Sequence, residues 1–214
     1  DNNSDFNVDA STISNNSQQG LYCQDMWGRG TVSNSTLQSN TRGLYLYYNS
    51  SPVISNNLLT QNTNGIEYYY NCDATVKDNE IVSNSYGIVF NTSSHYCETL
   101  ITGNLIANNT NDGIHKNSYS GQVTNPTITY NTLVNNGRHG LYIDRPGTEV
   151  ITNNIIAENG SYGLYNISAI ETFENNNVYS NTSGAIYNLS NVPAATWNFI
   201  SINPNNNATC DIYR

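Results

Sequence analysis

The chain has 214 residues, a formal net charge of -9 and only 11% charged residues, while 40 of its positions are Asn. Seven Lys and Arg are too few to neutralise many phosphates, which excludes a general electrostatic grip on nucleic acid. No run approaches the ~20 apolar residues of a membrane span, and 17 Tyr with regularly spaced Ile, Leu and Val supply a core that a disordered polar chain would lack.

Taken in chain order, one unit recurs eight times. The first coil places Val8, Ile13, Asn16 and Gly20; the second Val32, Leu37, Asn40 and Gly43; the third Ile54, Leu59, Asn62 and Gly65. The fourth has Val76, Ile81, Asn84 and Gly87; the fifth Ile101, Ile106, Asn109 and Gly113; the sixth Ile128, Leu133, Asn136 and Gly140. The seventh has Ile151, Ile156, Asn159 and Gly163, and the eighth Phe173, Val178, Asn181 and Gly184. Three apolar positions per ~22 residues, flanked by Asn, Gly, Ser and Thr, predict three short strands per coil joined by tight turns. A period of this length is the signature of a solenoid, in which each unit buries its apolar face against its neighbours.

The asparagine column is unbroken over all eight coils. Asn tolerates the left-handed backbone of a tight turn, and its amide pairs with the identical amide one coil away, so the column predicts a continuous ladder. Neutral amides also avoid the repulsion that ionised groups repeated every ~4.8 Å would impose. The fold class read from this pattern is all-β, a parallel β-solenoid over residues 1–192, followed by a C-terminal tail over 193–214.

The units Ser55-Asn56-Asn57-Leu58-Leu59-Thr60-Gln61-Asn62 and Thr152-Asn153-Asn154-Ile155-Ile156-Ala157-Glu158-Asn159 resemble right-handed parallel β-helix repeats of the pectate-lyase-like superfamily. They are most similar to the Asn-rich repeats of microbial secreted and surface proteins. This resemblance implies a right-handed coil and an extracellular or cell-surface setting. It leaves function open, because the same coil carries lyases, hydrolases, epimerases and adhesins.

Cys72 and Cys97 each lie four residues before an apolar strand centre in consecutive coils, a register that predicts a disulfide and an oxidising location. Cys23 in the first coil and Cys210 in the tail are left over, which suggests an intermolecular bond and head-to-tail self-association. No capping helix precedes Val8, so open strand edges at the first coil would favour the same assembly. Eleven Asn-x-Ser/Thr sequons, from Asn2 to Asn207, make a glycoprotein an expectation. The chain starts on Asp1 without a Met or an apolar leader, which reads as a processed or excised start.

Two surface features carry function. His139, Lys116, Arg138, Asp112 and Arg145 fall within two coils; in an enzyme His139 or Lys116 would be the base, Arg138 or Arg145 would neutralise a uronate carboxylate, and Asp112 would orient an imidazole. Paired carboxylates for calcium or for inverting hydrolysis are missing, as is any recurring metal-ligand spacing, so no cofactor is expected. The second feature is a stripe of Tyr22, Tyr45, Tyr142 and Tyr165 with Tyr47 and Tyr69 beside it, two residues after the marker glycines, which offers a binding surface for a sugar or a protein. The favoured reading is a structural or adhesive solenoid with self-association and a polysaccharide as partners; the alternatives are a carbohydrate-active enzyme and a non-catalytic glycan-binding module.

Overall fold

The computed structural model describes residues 6–24, 30–91, 97–117, 124–144, 147–168, 170–192, 198–200 and 211–213. Cys210 and Arg145 lie outside them. Three parallel sheets wind into a β-solenoid of eight coils. Sheet A stacks eight strands from Asn7–Asp9 to Thr172–Glu174, and sheet C stacks eight from Gln19–Gln24 to Gly184–Tyr187. Sheet B begins at Thr12–Ser14 and runs past Asn177–Tyr179 to Asn198–Ile200, which is followed by the antiparallel strand Asp211–Tyr213. The tail beyond residue 192 therefore adds strands to sheet B.

Most strands of sheets A and B are three residues long, with the central side chain inward. From Val32 and Leu37 to Phe173 and Val178 these centres are buried and lie over their equivalents in register, which gives one continuous core. Two of the three corners share one construction. A residue with positive φ turns the chain, and the next side chain points inward as a rung of a ladder. Asn56, Asp78, Asn153 and Asn175 turn the A-to-B corner, with φ near 56° to 58°; Asn15, Ser83, Asn108 and Asn135 turn the B-to-C corner in the same way.

At the B-to-C corner the column from Asn16 to Asn181 stacks amide on amide. Asn109 shows the pattern. Its Nδ2 donates to Asn136 Oδ1 at 2.9 Å and to the Ile81 carbonyl at 3.1 Å, and its backbone N–H donates to Asn136 Oδ1 at 3.2 Å. Its own Oδ1 accepts from the Asn84 backbone and side chain at 3.0 and 3.2 Å. Both ends of the amide are thus satisfied although the side chain is buried.

A second ladder occupies the A-to-B corner. Asn57, Asn79, Asn104, Asn131, Asn154 and Asn176 repeat the same bonds, with Ser35 at its N-terminal end. The eighth marker glycine is one residue out of register: Tyr162 pairs with Gly184 and Leu164 with Ile186, so Ala185 holds the glycine position. A Cβ on Gly113 would lie 2.7 Å from the Gly140 carbonyl oxygen and 2.9 Å from Asn136 Nδ2, both in the following coil. Ala185 is free of that constraint because its strand is the last of sheet C among the described residues.

The expected Cys72–Cys97 disulfide is absent, and Cys23, Cys72 and Cys97 are buried free thiols. The register does stack the two cysteines, yet each sulfur addresses backbone. Cys97 Sγ accepts the Cys72 N–H at 3.2 Å, and Cys72 Sγ lies 2.9 Å from the Tyr70 carbonyl oxygen. Burial pushes the Cys72 thiol up to about 11 and those of Cys23 and Cys97 to about 12, so all three are protonated and inert as nucleophiles. The inference to an oxidising location loses its disulfide support. Among the described residues, no helix is long and apolar enough to cross a membrane.

Candidate functional site on the outer face of sheet C

Five strands of sheet C have five or six residues, so this face carries more outward columns than the other two. The central column runs Tyr22, Tyr45, Glu67, Val89, His115, Tyr142, Tyr165 and Tyr187. Its C-terminal half is a stack of near-parallel rings: His115 on Tyr142 at 4.5 Å, Tyr142 on Tyr165 at 5.3 Å and Tyr165 on Tyr187 at 4.3 Å, with interplanar angles of 3°, 6° and 7°. The strand spacing of ~4.8 Å coincides with the stacking distance of aromatic rings, so the sheet itself sets the stack. In the N-terminal half Tyr22, Tyr45, Tyr47 and Tyr69 form a cluster with interplanar angles from 23° to 60°, with Tyr48 on Tyr70 beside it at 4.8 Å.

Two buried carboxylates pin this face. Glu67 is 3% exposed and accepts from Arg42 Nε at 2.6 Å and Asn64 Nδ2 at 2.7 Å, while the Arg42 guanidinium lies 4.6 Å from the centre of the Tyr45 ring. The sequence reading missed Glu67, whose signal is its position as the acidic member of a largely aromatic column. Asp112 is fully buried. Its Oδ2 contacts His115 Nδ1 at 2.7 Å and Arg138 at 3.7 Å, and its Oδ1 accepts the His139 backbone N–H at 3.0 Å. Arg138 also lies 5.2 Å over Tyr142.

Asp112, Arg138 and His139 are thus brought together, with His115 as the fourth member. The imidazole on Asp112 is that of His115. His139 offers Asp112 its backbone, and its Nδ1 accepts the Tyr162 N–H at 3.2 Å, which leaves the proton on Nε2. Burial lowers the His139 pKa to about 4, so the ring is neutral at pH 7. Lys116 does not join the cluster. Strand parity turns it into the core, where it is 1% exposed and paired with Glu149, so it cannot act as a base on a surface substrate.

Elsewhere, a shallow groove of about 570 Å³ follows the B-to-C corner and is lined by uncharged groups such as Ser39, Thr41, Gln61, Thr63, Ser83 and Ser85. Among the described residues, no group of three or more His, Cys, Asp and Glu is placed to hold a metal. The sequon residues Asn159, Asn166 and Asn181 are buried, whereas Asn15, Asn34 and Asn108 are exposed at corners.

The model of the family described as right handed beta helix region matches residues 1–98 and again residues 94–200. Searches of the curated proteins and of the solved structures return no match. With two matches that together span most of its length, and with three parallel sheets wound through eight coils, the chain belongs to the right-handed β-helix family.

Proposed function

We propose that this chain is a structural and adhesive β-solenoid of the cell surface or extracellular space, which presents the outer face of sheet C as a rigid contact strip to a polysaccharide. The observation that carries this reading is the outward column from Tyr22 to Tyr187, aromatic at six of its eight positions. Seven coil steps make it roughly 34 Å long. Its rings stack on one another, so their edges and hydroxyls face outward and little side-chain freedom is lost on contact. An extended, hydroxyl-rich polymer lying along the solenoid axis suits such a strip.

The acid-base cluster supports a structural role over a catalytic one. Both Asp112 oxygens are engaged by the protein, and His139 is buried with Nδ1 occupied. Self-association is a weaker reading. Lateral pairing of two copies would bring together two chains of net charge -9, and the strand Asp211–Tyr213 takes one edge of the last parallel strand of sheet B. The extracellular setting rests on the similarity to Asn-rich surface repeats.

Co-sedimentation with insoluble neutral and uronate-containing polysaccharides tests the proposal. The wild-type chain is expected to pellet with at least one of them, and Tyr142→Ser with Tyr165→Ser is expected to weaken binding about tenfold, which is ~1.4 kcal/mol. Binding that ignores the double substitution, or no binding at all, overturns it.

A further inference from the structure

The inward column of sheet C runs Cys23, Leu46, Tyr68, Phe90, Lys116, Ile143 and Asn166, so a lysine stands between a phenylalanine and an isoleucine in the core. Its Nζ is in direct contact with Oε1 of Glu149, a residue 33 positions further on that enters the core from the C-to-A corner. Lys116 is 1% exposed and Glu149 fully buried. Gly147 makes the room: a Cβ there would lie 2.8 Å from Lys116 Nζ, 2.5 Å from Glu149 Oε1 and 2.8 Å from the Thr124 carbonyl oxygen. Glu149 Oε2 is buried without a hydrogen-bond partner. The surface reaction of Lys116 expected from the sequence is closed off, and this geometry offers it a different one.

We propose that Lys116 and Glu149 form a self-cross-linking pair, which closes to an isopeptide bond between Lys116 Nζ and Glu149 Cδ with release of one water. Burial lowers the Lys116 pKa and raises that of Glu149, so both groups are pushed toward their neutral forms. A proton passes from the ammonium to the carboxylate, giving an amine against a carboxylic acid. The Nζ lone pair attacks Cδ and a C–N bond forms. A second proton moves from nitrogen to the hydroxyl oxygen, the C–O bond breaks and water leaves. The three ammonium protons end as one amide N–H and two protons of water, and no oxidant or reductant is needed. The product replaces two buried charges by a neutral amide, which removes the desolvation penalty of the ion pair. It also ties the fifth coil to the start of the seventh.

The test is the mass of the intact, folded chain, aged until the mass no longer changes. The expected value lies about 18 Da below that of the sequence, and a tryptic digest contains a branched peptide joining Lys116 to Glu149, uncleaved after Lys116. Lys116→Met and Glu149→Ala are expected to restore the full sequence mass. Should either variant fail to fold, the wild-type mass and digest still decide. A folded wild-type chain at full mass, or a loss of water mapped to other residues, overturns the proposal.

Discussion

The two asparagine corners and the third corner, from sheet C to sheet A, solve the same problem differently. Between the strand centres of sheets A and B the chain always advances five residues, from Val8 and Ile13 to Phe173 and Val178. Between the glycine position and the next centre of sheet A the advance ranges from ten residues, Gly163 to Phe173, to fifteen, Gly113 to Ile128. A corner closed by a ladder amide varies little, with six or seven residues from a centre of sheet B to the glycine position, because both ends of the amide must meet partners one coil away. A corner closed by packing accepts insertions, since the entropy of a longer loop grows slowly. Cys72, Cys97 and Glu149 lie at the third corner, while Asp112, Arg138 and His139 follow the ladder rungs Asn109 and Asn136 just before the strands of sheet C.

The largest expected effect breaks a ladder. Asn109→Ala removes a side chain with both ends bonded and strands partners in two coils, and should cost about 3–4 kcal/mol in urea unfolding. Ser50→Ala at the third corner loses a hydroxyl that donates to the Cys23 or Tyr47 carbonyl, at 2.8 and 2.9 Å. That change should cost only about 1 kcal/mol. Equal costs would erase the distinction between the corners.

A smaller effect sharpens the glycine rule beside the B-to-C ladder. Gly113→Ala forces a Cβ against the next coil and should cost about 2–3 kcal/mol, whereas Ala185→Gly in the same column should cost about 1 kcal/mol or less. Thermal melts of both variants measure the contrast.

The smallest effect is titratable, and it belongs to sheet C because ladder amides do not ionise. Burial holds the folded pKa of His139 at about 4, below the 6.5 of a solvated imidazole. The unfolded chain therefore binds this proton first as pH falls. Stability is full above pH 6.5 and declines as pH falls from 6.5 to 4, and His139→Gln should flatten that slope. Urea midpoints across this interval provide the check.

The strand centres and the B-to-C ladder were legible in the sequence because residue identity repeats with the coil. The second ladder stands five residues before the first, Asn57 before Asn62 and Asn176 before Asn181, yet Ser11 and Ser35 break it in the first two coils. Gly184 misled because, among the described residues, no further strand of sheet C follows to clash with Ala185. Cys72 and Cys97 show that register fixes which backbones are adjacent but not where a sulfur points. Lys116 was legible in principle: adjacent residues on a strand face opposite sides, so with His115 outward Lys116 must face the core. The Asp112 cluster was legible as a concentration of charge and in the register that stacks His139 over Asp112, but the choice of His115 as its imidazole depends on the turn before the strand.

Native-state hydrogen exchange on the full chain tests the frame most directly. If ladder corners hold the solenoid together, the backbone amides of Asn57, Asn62, Asn79, Asn84, Asn104 and Asn109 exchange slowest and together. Those of Asn71 and Asp73 at the third corner should exchange at least about 100-fold faster. Equal protection at the two kinds of corner, or faster exchange along the ladders, would contradict the account.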